Sequence, residues 1–346
     1  MAGKVNYIIV GLGIAGIWLS YELLKRGHKI VVFNHEKEHT GSKKATGLYN
    51  PVTGRKMIKT WRADDFFPTL ETDYQELENL LNTRFLYPIS IYRLFKSVKD
   101  QNDWQGRQDD RDYAPYLNHV SSHSLKIKHI NDPYGGIVLN RSGYVNLNAL
   151  IIAYKNYLIN KDCFVEEWLN TALLNIEEGV VTYKEYQADR IIFCEGVDVS
   201  NFWKSLPFRP VRGEIIDIEC DLESPYVINQ GVFMIPKNGY FTVGSTYDHS
   251  VLTHEPQEEG IKSLTERIGK IFDGDFQILE KRAGVRPATH DRKPFIGFHK
   301  NLGTLAIFNG FGTKGVSLSP YFAKHFADVL DQRVEIEKEV NVQRVH

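Results

Sequence analysis

The hydrophobic positions open the chain as a strand, a turn, a helix and a second strand. Residues 7–10 form an apolar run that breaks at Gly11, with Gly13 and Gly16 close behind. Ile14, Ile17, Trp18, Tyr21 and Leu24 then recur at helical spacing, Gly27 stops the helix, and 30–33 is apolar again. Further on, 64–81 puts Leu70, Tyr74, Leu77, Leu80 and Leu81 on one face and acids on the other, predicting an amphipathic helix. A strand is expected over 85–95, a polar charged segment over 99–112, and a helix over 147–158. Short strands alternate with turns over 163–196, 206–218 is a strand entry, and 232–245 reads as a hairpin turning at Asn238 and Gly239. An amphipathic helix over 255–272 follows. A last strand and glycine-rich turn lead to a helix ending at Leu330, for which Ser319 and Pro320 are good N-cap and first-turn residues. From Arg333 onward the chain is a short charged tail without a motif.

The opening unit gives its glycines a purpose. In a strand–turn–helix–strand context, G-x-G-x-x-G is the pattern of a dinucleotide-binding fold. Gly11 allows the tight turn, Gly13 lets a diphosphate approach the backbone across Ile14 and Ala15, and Gly16 lets helix and strand pack closely. The helix start then offers its amides and dipole to the diphosphate. The acid that usually ends the second strand and binds the ribose is missing. Asn34 stands there, followed by His35 and by Glu36, the first carboxylate, and no arginine follows to meet a 2′-phosphate.

Composition narrows the class. A chain of 346 residues predicts roughly two domains. Its formal net charge of −1 provides no global field for nucleic acid or an anionic membrane. Cys163, Cys194 and Cys220 are too few and too scattered for a disulfide framework or a metal site, so no metal is expected. The first strand starts too early to leave room for a signal peptide, and the apolar stretch 8–19 is too short and glycine-rich to span a bilayer. A cytoplasmic protein with no membrane partner is expected.

The segment 40–62 (T-G-S-K-K-A-T-G-L-Y-N-P-V-T-G-R-K-M-I-K-T-W-R) is rich in small and hydroxyl residues in its first half. Here the chain resembles the FAD-dependent amine and D-amino-acid oxidase family that includes glycine oxidase. In that family a Ser/Ala-rich segment ending in glycine crosses the flavin, and Ser42, Thr46, Gly47 and Leu48 fall on it, with Tyr49 beside the substrate pocket. The piece G-L-Y-N-P also resembles the flavin domain of the bacterial enzyme that modifies the tRNA wobble uridine. Lys43, Lys44, Arg55, Lys56, Lys59 and Arg62 form either a solvated basic face or a positive rim steering an anionic substrate.

The resemblance spans about 7–330 and its motifs keep the family's order. Cys194, Glu195 and Gly196 stand where the family has alanine–alanine–glycine beneath the cofactor; Cys194 reads as a packed core thiol, and Glu195 as a turn residue or a group near the adenosine half. Phe233 or Met234 matches an aromatic substrate contact before Pro236, although a structural hairpin would explain the same sequence. Gly284, Arg286, Pro287, Asp291, Pro294, Ile296 and Gly297, then Gly310, Gly312, Gly315 and Val316, follow the family's C-terminal pattern. The resemblance implies that Arg286 grips a substrate carboxylate through a bidentate pair, a geometry lysine cannot reproduce. The plain alternative is a structural arginine that pairs with Asp291 or caps a turn. Thr313, with Lys314 beside it, occupies the place of a second substrate-binding arginine of glycine oxidase, so glycine itself is not implied.

The expected architecture is α/β with an α+β second domain. An FAD-binding Rossmann-like domain (1–83, 137–205, 283–346) would be interrupted by a discontinuous antiparallel-sheet substrate domain (84–136, 206–282). The implied cofactor is non-covalent FAD, contacted by Gly310, Gly312, Thr313, Lys314, Gly315 and Val316; the helix that follows would point its positive end at the flavin pyrimidine and stabilise the anion formed on reduction, with Lys314 adding to this. The implied reaction is oxidation of a small amine or amino acid by hydride transfer from Cα–H to flavin N5, the imine then hydrolysing, with oxygen or another acceptor reoxidising the flavin. Two alternatives remain: flavin-dependent oxidative cleavage of a secondary amine on tRNA, and a non-catalytic flavin-binding protein.

Overall fold

The strand Gly3–Val10 is the axis of the first of two large sheets. The computed structural model describes residues 3–35, 40–54, 56–107, 109–177 and 179–345. Gly3–Val10 pairs in parallel with Ile30–Phe33 on one side and with Tyr186–Phe193 on the other. Phe164–Val165 extends the sheet beyond Ile30–Phe33, and Leu305–Asn309 runs parallel to the end of Tyr186–Phe193. Such strands are covered on both faces, which is why their residues are continuously apolar: Ile8, Ile9, Val32, Ile191 and Ile192 are all buried. Helices Ile14–Lys25, Leu147–Asn160 and Gly315–Leu330 pack together over one face.

The second large sheet runs, in spatial order, Phe276–Arg286, Val211–Cys220, Phe241–Gly244, Phe233–Pro236, Val227–Asn229, Ile91–Leu94, Gly136–Leu139 and Leu117–Ser121. Every pair is antiparallel except Val227–Asn229 with Ile91–Leu94. Helix Glu258–Ile268 covers one face through Ile261, Leu264 and Ile268, which pack with Ile216, Ile218, Met234 and Val243. The opposite face, through Ile91, Ile137, Val227, Ile235 and half-buried Phe233, joins the core of the first sheet. The strand Gly136–Leu139 crosses the boundary expected at 136, and Phe276–Arg286 crosses the one at 282.

Three local readings change. The strand expected over 85–95 is two strands in different sheets, Leu86–Pro88 and Ile91–Leu94, because Pro88 has no amide to continue the ladder. Part of the polar 99–112 segment is a helix, Val98–Gln105, capped by the Ser97 hydroxyl. The last helix starts at Gly315, so Ser319 and Pro320 lie inside it rather than at its start. An internal proline costs a bond to the carbonyl four residues back. That carbonyl, Val316 O, is instead met by the buried Tyr74 hydroxyl at 2.9 Å. The tail is not loose either: Val340 and Val342 are buried, and Ile296 N donates to Val340 O.

Tyr74→Phe is expected to leave Val316 O buried without a donor and to cost about 1–3 kcal/mol, read as a lower thermal midpoint. Adding Pro320→Ala returns an amide to that carbonyl and is expected to recover most of the loss; equal midpoints in the single and double variants would refute this account.

Candidate functional site

Four backbone segments meet at the end of Gly3–Val10. Gly11 has φ +101, and a Cβ there would meet Cys194 O at 2.6 Å, so no side chain fits. A Cβ on Gly16 would run into Gly11 O, which seats the helix against the strand end. The helix N-cap is Gly13, with no side-chain cap. The Ser42 hydroxyl lies 3.2 Å from where a Gly13 Cβ would stand and accepts from Ile14 N at 3.1 Å. The start of the helix is therefore left to a hydroxyl and backbone amides, the donor set that holds a diphosphate. Asn34 Oδ1 accepts from Leu12 N at 2.9 Å, bracing the loop from the second strand. His35 is exposed, Ala15 is buried, and Glu36 and Arg55 lie outside the described residues.

The second helix start arrives at the same place. A Cβ on Gly315 would meet Ile14 Cγ2 at 2.9 Å, so the positive ends of Ile14–Lys25 and Gly315–Leu330 converge. Gly310 and Gly312 have positive φ, Gly312 N donates to Pro287 O at 3.2 Å, and Thr313 is exposed. Asn309 Nδ2 donates to Gly196 O, tying this turn to the end of Tyr186–Phe193. Glu195 is half-buried, and its Oε2 accepts from Ser200 N at 3.0 Å, so it closes its own turn. Cys194 is buried, and burial holds its thiol well above the usual range; its backbone, not its sulfur, shapes the loop.

Residues 41–48 link the two sheets. A Gly41 Cβ would meet Val285 O at 2.8 Å, and a Gly284 Cβ would meet Lys44 Cβ at 3.0 Å, so the segment lies along Phe276–Arg286. Thr46 Oγ1 accepts from Leu48 N, Gly47 O accepts from Val145 N, and Leu48 pairs with Tyr144. Tyr49 is a correction: it is buried and its hydroxyl donates to Glu71 at 2.9 Å, leaving nothing for a substrate. Met234 is another, because it faces helix Glu258–Ile268 with 0 % exposure, while Phe233 lies on the opposite face. Val316 is buried in the helix packing and takes no part through its side chain.

Arg286 ends the strand Phe276–Arg286 on the Phe233 face of the sheet. Its guanidinium lies over Gly213, where any Cβ would collide with it. Nη2 donates to Ser245 Oγ at 2.8 Å, Nη1 to Thr246 O at 3.4 Å, and the Tyr247 ring lies 5.0 Å away. Burial lowers its proton affinity, and among the described residues no carboxylate forms an ion pair with it. The expected structural partner is taken: Asp291 is gripped through both oxygens by Arg344, at 2.9 and 3.1 Å. Lys314 is also drawn inward, donating to Thr60 Oγ1 at 3.1 Å and Thr53 Oγ1 at 3.4 Å. Burial, assisted by Arg292, lowers its ammonium to about 8.

The basic segment is partly spent. Lys59 pairs with Asp64 at 2.6 Å, and Arg62 pairs with Asp65 and Glu337. Sequence reasoning missed Ser245, Thr246, Asn309 and Arg93, although the lone charge in I-Y-R-L-F around Arg93 was a visible signal. Among the described residues no helix is long and apolar enough to cross a membrane.

Comparison with known proteins agrees with this geometry. The chain is 23 % identical over 367 residues to a glycine oxidase of Pseudomonas aeruginosa, covering 95 % of each. It is 23 % identical to a bifunctional tRNA 5-methylaminomethyl-2-thiouridine biosynthesis protein of Campylobacter jejuni, covering 84 % of this chain but only 45 % of that one. A glycine oxidase structure from Geobacillus kaustophilus superposes with a TM-score of 0.78 at 18 % identity, over 96 % of both chains. The model of the FAD-dependent oxidoreductase family matches residues 6–329. A match over nearly the whole length, on a fold whose glycine loop suits a diphosphate, decides membership: the chain belongs to the FAD-dependent oxidoreductases, enzymes that work through bound FAD.

Proposed function

We propose that this enzyme oxidises a small amine or amino acid whose carboxylate is held by Arg286. The observation that carries the reading is a largely buried guanidinium whose hydrogen bonds go to a hydroxyl and a carbonyl, and which, among the described residues, forms no ion pair with a carboxylate, Glu214 acting on it only from a distance. An arginine offers five N–H donors, so a planar pair remains for a carboxylate. Burying a cation without a counter-ion is costly, and an anionic substrate offsets that cost on binding. Phe233, on the same face and against Gly244, supplies an apolar wall; unlike a tyrosine it provides no hydroxyl.

The residues divide the work as follows. Ser42, the glycine loop and the helix start Ile14–Lys25 would hold the FAD diphosphate, while the start of Gly315–Leu330 and Lys314 would supply positive charge to stabilise the reduced cofactor. Bound FAD supplies the two-electron acceptor for the Cα hydride. Arg286 fixes the carboxylate and hence the direction of the Cα–H bond, which is where orientation enters the rate. The imine released hydrolyses in water, and oxygen or another acceptor takes up the electrons.

A second reading, oxidation of a secondary amine on tRNA, draws support from the likeness to the tRNA-modifying protein. The pairing of Lys59 and Arg62 with acids weighs against a basic rim for a polynucleotide. Salt-dependent tRNA affinity, with no bleaching by free amino acids, would favour this reading over the first.

Anaerobic addition of glycine, sarcosine, proline and D-amino acids to the holoenzyme is expected to bleach the flavin band with at least one of them. Arg286→Lys is expected to lower kcat/KM for that substrate by roughly 10- to 100-fold, the worth of a charged hydrogen bond of about 1.5–3 kcal/mol. Unchanged kinetics in that variant would remove Arg286 as the anchor.

Binding of an anion should also report Lys314. Its ammonium carries charge below about 8 and loses it above, so affinity for a carboxylate inhibitor is expected to fall as pH rises through that value. Lys314→Met is expected to flatten this limb; an identical pH profile in the variant would place the titration elsewhere.

A further inference from the structure

The second sheet carries another cation on the face that holds Phe233 and Arg286. Register sets the face: Phe233 pairs with Asn229, and Asn229 pairs with Arg93. Side chains of directly paired residues project to one side of a sheet. Arg93 is half-buried in an apolar strand between buried Tyr92 and Leu94. Nη1 donates to Asn229 Oδ1 at 3.2 Å and Nη2 to Gly54 O at 2.6 Å. Among the described residues no carboxylate forms an ion pair with it, Asp100 acting on it only from a distance, and those two bonds leave donors of the fork unused. Two other arginines of this sheet are neutralised: Arg282 by Asp217 and Glu280, and Arg212 by Glu214 and Asp248.

Arg93 does not act alone. Gly54, whose carbonyl it meets, follows Thr53, whose hydroxyl meets Lys314 Nζ. Two consecutive residues, Thr53 and Gly54, thus join a cation of the C-terminal glycine turn to a cation of the second sheet. Strand order puts Arg93 four strands from the strand that Arg286's guanidinium covers, roughly 19 Å backbone to backbone at about 4.8 Å per step. That span already counts the reach of Arg286; Arg93 leans to Asn229, one strand nearer, and narrows it by about 4.8 Å, a gap that a chain with a carboxylate at each end can bridge, with Phe233 on an intervening strand of the same face.

We propose that Arg93, with Lys314 held on the neighbouring residue Thr53, is a second anion subsite, and that the preferred substrate is an amine carrying two carboxylates. Arg286 grips the carboxylate beside the reacting carbon, and Arg93 takes the distal one. This rests on the role of Arg286 proposed above. Arg93 is a specificity residue: it selects the diacid without touching the bond that breaks.

The test uses binding of non-reacting probes to the holoenzyme, followed by calorimetry and by perturbation of the flavin spectrum. Succinate, glutarate and adipate are compared with butyrate across the series. At least one diacid is expected to bind 10-fold or more tightly than butyrate, and Arg93→Met is expected to erase that preference while leaving butyrate affinity unchanged. Arg93→Lys, which keeps the charge but not the fork, is expected to retain part of it. No preference for any diacid in the wild type, no binding of either class, or a preference that survives Arg93→Met would each overturn the second subsite. Diacid preference without bleaching by any amine would instead leave the subsite standing and remove the proposed oxidation.

Discussion

The structure depends on how closely three pieces of backbone approach one another at the end of the first strand. Gly11 leaves the strand with its Cα against the Cys194 carbonyl, and Gly16 brings the helix back onto Gly11 O. Either contact excludes a Cβ, so the helix start, the first strand and the strand ending at Phe193 are locked in one arrangement. That arrangement gathers the amides of the helix start, Ile14 N on the Ser42 hydroxyl, at the C-terminal end of the central strand, and Gly315 lets a second helix bring its positive end against Ile14. Two helix ends of like sign in contact are unfavourable by themselves. A bound diphosphate and electron-accepting ring would convert that repulsion into binding.

A second constraint sets the state of Arg286. Asp291, five residues on, is the nearest acid in sequence and would be an obvious partner. Arg344 removes it, meeting both carboxylate oxygens and also the carbonyls of Lys293, Pro294, Val340 and Asn341. The bidentate pair holds Asp291 ionised, its proton affinity lowered despite burial that would raise it. The C-terminal segment therefore does more than finish the core. By satisfying Asp291 it leaves Arg286 over Gly213 with neutral partners.

Much of this was readable from residues alone, because the informative signals were local. The glycine triplet with its flanking apolar runs, the Asn238–Gly239 hairpin and the helix beginning at 147 each need only a short window. What was misread depends on contacts far apart in the chain. Ser319 and Pro320 have the chemistry of a helix start, and only Tyr74, some 240 residues earlier, lets the helix run through them. Phe233 and Met234 are adjacent, and period-two alternation says they face opposite ways without saying which way is inward. The helix 258–268 decides it by covering the Met234 side. The tail looked featureless because its role is carried by one arginine whose partner lies 53 residues away.

The arginines of the second sheet separate by what surrounds them. Arg212 faces the covering helix, where no ligand can reach, and it is neutralised by Glu214 and Asp248. Arg282 faces the other way but pairs with Asp217, which Thr242 also supports at 2.7 Å. Both are braces, and a brace needs its own counter-charge, since an unpaired buried cation weakens a fold by several kcal/mol. Arg286 and Arg93 share the Arg282 face yet meet only hydroxyls, carbonyls and an amide oxygen. Those acceptors orient a guanidinium without an ion pair, and Asp100 and Glu214 act on the two charges only from a distance, which keeps each fork positioned and open to an anion. A fold stabilised only for itself would supply an acid at both places, as it does for their two neighbours. On the function proposed above, the carboxylates of a substrate would take the place of those acids.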